Sequence, residues 1–200
     1  MKLKIKTIVA LAISVGFGLF SFQAKSQAFQ IESHNFSVGY GFGNFGNAVL
    51  NTYENNSNYS YSSTGPLFFK YEYGISENFG IGVNATYLTG IAGFNSESNG
   101  TTYYNEISRT GYNIMLRFNW HFGEHDMIDP YFGIAAGFRN NDWQSDFGDP
   151  NIENLSVSTI FPLGLEATFG TRFFITENIG AYVEVGLARA IMQVGLTSTF

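Results

Sequence analysis

Large apolar side chains alternate with small or polar ones along most of the chain after residue 35, a period of two that is typical of β-strands. The same alternation recurs at 36–43, 67–75, 79–87, 131–139, 161–173, 179–187 and 190–200. Its clearest run sets Tyr112, Ile114, Leu116, Phe118, Trp120 and Phe122 against Gly111, Asn113, Met115, Arg117, Asn119 and His121. The pattern predicts an all-β fold of eight strands, several long enough to cross a bilayer at a tilt near 45°.

The connections between these strands alternate in length. Long polar segments at 44–65, 90–104 and 139–154 are separated by shorter links at 76–78, 123–130 and 175–178, with a last connection near 188–190. This alternation is typical of up-and-down outer-membrane barrels, which have long extracellular loops and short periplasmic turns. The two shortest links are near copies, Ile-Ser-Glu-Asn-Phe-Gly at 75–80 and Ile-Thr-Glu-Asn-Ile-Gly at 175–180. They indicate hairpin duplication, and their asparagines are expected to adopt the positive φ of a tight hairpin turn.

Alternation alone fits two kinds of barrel, a soluble lipocalin-type one with its apolar face inside and a membrane one with that face outside. Glycine, serine, threonine and asparagine dominate the polar face, which suits the crowded interior of eight strands. No charge interrupts the apolar face at mid-strand, where it would be costly in lipid. These features favour the membrane barrel, in which the apolar face contacts lipid. They also predict a balanced polar network in the lumen, formed by Lys70, Glu72, Arg117, Glu166, Arg172 and Glu184.

The first 28 residues have the composition of a secretory signal peptide. Lys2, Lys4 and Lys6 precede an apolar stretch at 7–20, and Ser26 and Ala28 supply the small residues of a cleavage site. The apolar stretch is short for the alternative, an uncleaved membrane anchor. The chain has no cysteine, which excludes a lipoprotein anchor and a disulfide framework. The predicted organisation is therefore a signal peptide at 1–28 and one barrel domain at 29–200.

Composition agrees with a chain whose solvent is lipid. The chain contains 21 Phe, 12 Tyr and 23 Gly, yet only 13% of its residues are charged, against about 25% in soluble domains. Beyond residue 28 there are six basic and sixteen acidic residues. Nucleic acid is therefore a poor partner, because its binding depends on Lys and Arg.

The signal peptide, the eight strands and the terminal aromatic together resemble the small outer-membrane β-barrel family that includes the OmpA transmembrane domain, OmpX-like proteins and opacity-type adhesins. The resemblance implies a Gram-negative cell envelope, outer-membrane lipid and lipopolysaccharide as surroundings, and insertion by the barrel-assembly machinery. Family members carry a C-terminal insertion signal of a polar residue, glycine and two hydrophobic residues. Gln193, Gly195 and Phe200 match this signal, and Ser198 departs from it.

The sequence contains only weak matches to nucleotide-binding and catalytic motifs. Gly39, Gly41 and Gly43 are not followed by a helical pattern, as a nucleotide-binding turn requires. None of His34, His121 and His125 has a serine two residues later, as lipid A deacylases would need, and the topology places all three near the periplasmic ends. We therefore expect no catalytic residues, no cofactor and no enzyme.

The segment from Asn140 to Asn154 carries clustered oxygen ligands, in Asp142, Asp146, Asp149, Asn151 and Glu153. Such a cluster could bind Ca²⁺, but the spacing lacks the order of an EF-hand loop. A solvated acidic loop is the favoured interpretation, and no metal site is predicted.

The predicted function is that of an integral outer-membrane barrel with a filled lumen and a structural or adhesive, surface-recognition role. Its extracellular loops would be the working surface; the one at 51–65 is rich in Asn, Ser and Tyr, as adaptable recognition surfaces often are. The alternatives are narrow, porin-like transport of ions or small hydrophobic molecules, and a lipid-modifying enzyme of the outer membrane. The sequence does not specify an extracellular ligand.

Overall fold

The computed structural model describes residues 28–123 and 125–200, so the predicted signal peptide falls almost wholly outside the described residues. The described chain forms nine strands: β1 His34–Phe42, β2 Ser60–Gly74, β3 Phe79–Ser98, β4 Thr101–His121, β5 Ile128–Phe147, β6 Ser156–Ser158, β7 Leu163–Phe174, β8 Ile179–Leu187 and β9 Met192–Thr199. A short helix α1 (Phe45–Leu50) and a 3₁₀ turn (Asn51–Tyr53) lie between β1 and β2. None of the helices in this part of the chain is long and apolar enough to cross a membrane.

Eight of the strands close into a ring in the order β1-β2-β3-β4-β5-β7-β8-β9. Every neighbouring pair is antiparallel, and two ladders complete the circle, β1 with β9 and β4 with β5. The short strand β6 pairs only with β5, at Gln144–Asp142, outside the ring. The predicted eight-stranded up-and-down barrel is thereby confirmed.

The two faces of the strands divide as the alternation predicts. On β1, Phe36 and Val38 are each 51% exposed, whereas the alternating residues Asn35 and Ser37 are buried. On β4, Leu116 is half exposed beside a buried Arg117. Lipid requires paired backbone groups and a predominantly apolar outer face, and the closed ring of ladders with its exposed apolar side chains suits both conditions. The chain is an integral membrane protein of the outer-membrane β-barrel type.

Aromatic side chains mark both edges of the apolar belt. Tyr87 pairs with Tyr112 at one edge, and Phe79 pairs with Trp120 at the other. On β3 and β4 the two edges are eight residue steps apart, about 27 Å along the strand at about 3.4 Å per residue. This length is comparable to the apolar band of about 25 Å, flanked by aromatic girdles, that such barrels present to lipid.

The two copied turns have the same geometry and lie at the same end of the barrel. In each, the residue at position 75 or 175 donates its amide to the carbonyl of position 79 or 179. The expectation of a positive φ at Asn78 and Asn178 is wrong, because neither is among the residues with that conformation. Instead, the Ser76 hydroxyl accepts hydrogen bonds from the backbone amides of positions 78 and 79. The Thr176 hydroxyl accepts them from the backbone amides of positions 178 and 179. The two asparagine side chains donate to carbonyls of the following strand at 3.0 and 2.8 Å.

Two of the predicted long loops are in fact strands. Segments 90–104 and 139–154 are largely covered by β3, β4 and β5, which are 20, 21 and 20 residues long against 9 for β8 and 8 for β9. The turn between β3 and β4 is Asn99-Gly100, with φ of 51° and 78°. Polar composition suggested loops here because these strand ends stand in water, where neither face needs to be apolar. Strands β2–β5 therefore project roughly ten residues, about 33 Å, beyond the shorter strands; we call this sheet the extension.

The connection between β1 and β2 packs against the inner face of the extension. Tyr53 stacks on Phe94 with ring centroids 4.4 Å apart, and the Asn95 amide donates to the Ser57 carbonyl at 2.8 Å. Leu50 at the end of α1 is fully buried. This connection, predicted as a polar loop, thus forms a small apolar core above the lumen.

A charge on the lipid face should destabilise the barrel according to its depth. Leu116→Arg lies midway between the aromatic edges on β4, so we expect it to lower the free energy of unfolding by about 2–4 kcal/mol. The control Tyr104→Arg, on the same outward face but in the extension, should change it by less than about 1 kcal/mol. Denaturant unfolding in lipid vesicles measures both. Equal costs at the two positions would contradict the placement of the bilayer.

Candidate functional site

The charged side chains of this barrel form clusters in its lumen, which follow one another from the periplasmic end to the extracellular end. The periplasmic cluster consists of Glu72, His121, Asp129 and Arg172. His121 Nδ1 is 2.6 Å from Asp129 Oδ1, and its Nε2 is 2.8 Å from Glu72 Oε1. Arg172 bonds the other oxygen of each carboxylate. Ionised carboxylates only accept hydrogen bonds, so both imidazole nitrogens donate and the cluster holds two positive and two negative charges.

Phe29 covers this cluster from the periplasmic side. Its ring stacks on His121 with centroids 3.6 Å apart and planes within 5°, and the residue is only 4% exposed. Phe29 is the first residue after the predicted cleavage site, so the start of the barrel domain closes one end of the lumen.

The central cluster surrounds Glu184. Lys70 Nζ lies 2.8 Å from Glu184 Oε2, and Arg117 bonds both carboxylate oxygens at 3.1 and 3.0 Å. The Tyr131 hydroxyl donates to the same carboxylate at 2.9 Å, and the Gln193 amide does so at 3.3 Å. Because the carboxylate is fully buried, its charge is stabilised by these partners and not by water.

The outer cluster surrounds Glu166. Its carboxylate accepts from Arg139 Nη2 at 2.9 Å, from Asn113 at 3.0 Å and from Asn84 at 2.8 Å. Arg139 comes from β5, where it pairs with Asn113 next to the aromatic edge of the belt.

Arg109 and Arg189 form a fourth group, the mouth pair, at the extracellular end. Arg109 donates to the Asn44 side chain at 2.7 Å and to the Asn141 side chain at 2.9 Å. Arg189 also bonds Asn141, and it donates to the backbone carbonyls of Tyr112 and Asn140 at 2.7 and 2.5 Å. Burial, together with the like charges of Arg139 and Arg109, lowers the pKa of Arg189 to about 10.

All six residues of the predicted lumen network face the interior, and five of them are buried with Lys70 nearly so. The expected balance of three positive and three negative charges is incomplete, however. His121, Asp129, Arg109, Arg139 and Arg189 also belong to the lumen. Arg109 has the same parity as the inward residues of β4 and was missed because the predicted strand began only at Gly111. Arg139 has the inward parity of β5 and is the last residue of the predicted run 131–139, but it was not included in the network.

The lumen is packed rather than open at its centre. Lys70, Glu72, Arg117, Tyr131 and Arg172 are among the side chains around a cavity of about 10 Å³, which is room for about one water molecule. Small residues opposite these groups make the packing possible. A Cβ at Gly170 would lie within 2.9 Å of the Tyr131 ring, so only glycine leaves room for Tyr131 there.

The remaining candidate residues are not brought together. His34 bonds the Tyr71 hydroxyl at 2.9 Å near the start of β1, and His125 lies in the β4–β5 connection, both at the end that carries the short turns. In the acidic segment, Asp142, Asp146 and Asp149 each accept from a nearby asparagine. Among the described residues, no group of three or more His, Asp or Glu side chains is arranged to hold a metal.

The residues of the predicted insertion signal lie on β9 and just after it. Gln193 points into the lumen, where it bonds Glu184, and Gly195 lies against Tyr182 and the β1 backbone. Phe200 is 72% exposed and outward, and its backbone exchanges two 3.0 Å hydrogen bonds with His34. Recognition of these residues by the assembly machinery stays a prediction.

Comparison with known proteins shows that this chain is similar to several solved β-barrel structures. No family model and no curated protein matches the chain. Among solved structures, Ail, the attachment invasion locus protein of Yersinia pestis, matches with 11% identity and a TM-score of 0.48, over 86% of this chain and 100% of that one. Ail in complex with the heparin analogue sucrose octasulfate matches with 15% identity and a TM-score of 0.44, over the same shares. The N-terminal β-barrel domain of Pseudomonas aeruginosa OprF matches with 12% identity and a TM-score of 0.43, over 86% of this chain and 98% of that one.

Glu184 should be the most sensitive charge of the lumen, because its removal leaves Lys70 and Arg117 buried together without a carboxylate. We expect Glu184→Gln to lower the free energy of unfolding by about 3–5 kcal/mol. The control Glu177→Gln, in an exposed periplasmic turn, should change it by less than about 0.5 kcal/mol. Thermal and denaturant unfolding of the refolded barrel give both values. Unchanged stability combined with a new conductance in Glu184→Gln would show that this charge lines an ion path instead.

Proposed function

We propose that this protein is a non-enzymatic outer-membrane barrel that acts as a surface-recognition or adhesive protein, with the extension as its binding surface. The observation that carries this proposal is the joint presence of a filled lumen and a rigid sheet projecting from one side of it. The barrel anchors the sheet in the membrane, and the sheet reaches into the medium.

The lumen offers little support for transport. The central cluster is satisfied within itself, around a cavity of about 10 Å³, and Phe29 covers the periplasmic end. At the other end, the β1–β2 connection is fastened to the mouth pair by the Asn44 side chain, which also donates to the Arg189 carbonyl at 2.8 Å. An ion would have to break buried salt bridges in order to pass, which favours an anchoring role.

The extension has the properties of a recognition surface. Paired strands hold it rigid, so little conformational entropy is lost when a partner binds. It also carries a free edge at β6, where Leu155 and Val157 are both more than half exposed. An exposed strand edge can pair with an extended segment of another protein through backbone hydrogen bonds. Tyr104, 55% exposed, adds an aromatic contact on the outward face.

Lipid and the assembly machinery are the other proposed partners. All six Lys and Arg residues after residue 28 belong to the lumen or its mouth, so the outer wall meets lipid through apolar side chains. Contact with the phosphates of lipopolysaccharide would then depend on divalent cations between the phosphates and acidic residues. Insertion would use the Gln193, Gly195 and Phe200 signal.

Shortening the extension should weaken recognition without unfolding the anchor. Replacing residues 93–106 by an Asn-Gly turn keeps Ala92 paired with Ile107, so the register of β3 and β4 is preserved. We expect cells that display this variant to attach to immobilised matrix protein, and to one another, markedly less than cells with the intact chain, because the variant removes Tyr104 and the outer parts of β3 and β4. Cells with Glu77→Gln, in a periplasmic turn, should attach as well as those with the intact chain. Undiminished attachment by the shortened barrel would contradict the proposal.

Conductance separates this proposal from the transport alternative. The intact barrel, refolded and inserted in planar bilayers, should show no channel steps above the leak of the bare membrane, because the central cluster occupies its lumen. Steady single-channel steps from a preparation that shifts on gels when boiled would favour narrow transport. Mass spectrometry of lipid A after incubation with the barrel should show no change, and any cleaved or added acyl chain would favour the enzyme alternative.

A further inference from the structure

Positive charge is unevenly distributed along the lumen. The periplasmic cluster has two positive and two negative charges. At the extracellular end, Arg109, Arg139 and Arg189 meet a single carboxylate, Glu166, which Asn84 and Asn113 also bond. Glu106 and Asp142, on the neighbouring strands, have the opposite parity and point away from this end of the lumen. Among the described residues, two of the three guanidinium groups are therefore buried without a counter-charge.

The partners of the mouth pair are all neutral. Arg109 and Arg189 bond two asparagine side chains and two backbone carbonyls, and the Trp143 ring lies over the Arg109 guanidinium at 5.1 Å. These contacts satisfy hydrogen bonds but do not neutralise charge. Buried charges are normally paired with an opposite charge, because desolvation is costly otherwise. The arrangement thus lacks an anion.

The same three arginines also keep donors without a partner. Among the described residues, the Nε atoms of Arg109, Arg139 and Arg189 are buried without a hydrogen-bond partner. Arg109 and Arg189 are themselves 8% and 5% exposed. A neutral acceptor could satisfy these three N–H donors, but only an anion would also offset the repulsion among their positive charges.

The geometry also explains how such charges are held together. Arg189 belongs to the connection between β8 and β9, and it bonds carbonyls of β4 and β5 on the opposite side of an eight-membered ring. Asn44 then fixes the β1–β2 connection over both arginines. Elements from opposite sides of the barrel therefore converge on one point at the extracellular mouth.

We propose that this point is a binding site for a small oxyanion, the phosphate, sulfate or carboxylate group of a ligand that enters from the extracellular side. Arg109, Arg139 and Arg189 would supply the charge and the Nε–H donors. Guanidinium groups suit this role because their planar donors match the oxygens of such groups. The site is separate from the adhesive surface of the extension, and the anion would fasten the mouth of the barrel.

Direct binding to the intact chain is the first test. The barrel, refolded in an uncharged detergent, is titrated calorimetrically with sodium phosphate and with sodium sulfate, against sodium chloride at equal ionic strength. We expect saturable binding, and a Tm raised by about 5–10 °C at an anion concentration near one hundred times Kd. The absence of any saturable binding or anion-specific Tm shift for the intact chain would overturn the proposal.

Variants locate the site. Arg109→Gln and Arg189→Gln should each lose the anion-dependent rise in Tm, and Arg189→Lys, which keeps the charge, should retain part of it. Lys70→Gln is the matched control: it removes a lumen charge from the central cluster but leaves Glu184 bonded to Arg117, so its anion response should equal that of the intact chain. An unchanged anion response in both glutamine variants at the mouth would place any binding elsewhere and overturn the assignment.

A second set of measurements distinguishes a free anion from a phosphate group carried by a lipid. Micelles with phosphorylated lipopolysaccharide, or with the same lipid after enzymatic dephosphorylation, are compared with inorganic phosphate. A Tm rise with inorganic phosphate alone supports a free anion, and a rise that is lost on dephosphorylation supports a lipid-borne phosphate. If neither stabilises the intact chain relative to chloride, the mouth is not an oxyanion site.

Discussion

Closure of the hydrogen-bonded ring is the constraint on which the rest of this molecule depends. An unpaired peptide group in hydrocarbon costs several kcal/mol, so a strand edge at membrane depth is not tolerated. The β1–β9 ladder joins the first and last strands and so removes both edges that an open eight-stranded sheet would have. Closure in turn commits one face of every strand to lipid and the other to a narrow lumen, which the alternation along the chain already requires.

The membrane-embedded part could be predicted from the sequence because lipid imposes a strict period of two there. Leu116 and Arg117 differ in exposure as their neighbours predict, and β8 has the expected bounds, Ile179–Leu187. Above the membrane that constraint disappears, and the strands were therefore predicted too short. The Asn99-Gly100 pair is a hairpin signal in the sequence, and it forms the turn between β3 and β4. Contacts across the ring, such as those of Arg189, depend on tertiary geometry that no local pattern contains.

Charge in this protein is sorted by location to an unusual degree. Every Lys and Arg after residue 28 belongs to the lumen or its mouth, whereas acidic residues such as Glu77, Glu97 and Glu177 lie exposed in turns and on the extension. The outer surface is consequently acidic and the interior holds the cations. Any attraction for anionic groups must therefore act at the mouth of the barrel, and the outer wall contributes little to it.

The two copied turns occupy equivalent positions on opposite sides of the barrel. The first joins β2 to β3 and the second joins β7 to β8, pairs that are four positions apart in a ring of eight. Asn78 and Asn178 each fasten their turn to the next strand, β4 in one case and β9 in the other. A rotation of 180° about the barrel axis therefore superposes one turn's position on the other's, as in a barrel built from two related four-stranded halves. The two halves differ in strand length at their extracellular ends, whereas their periplasmic turns share one geometry.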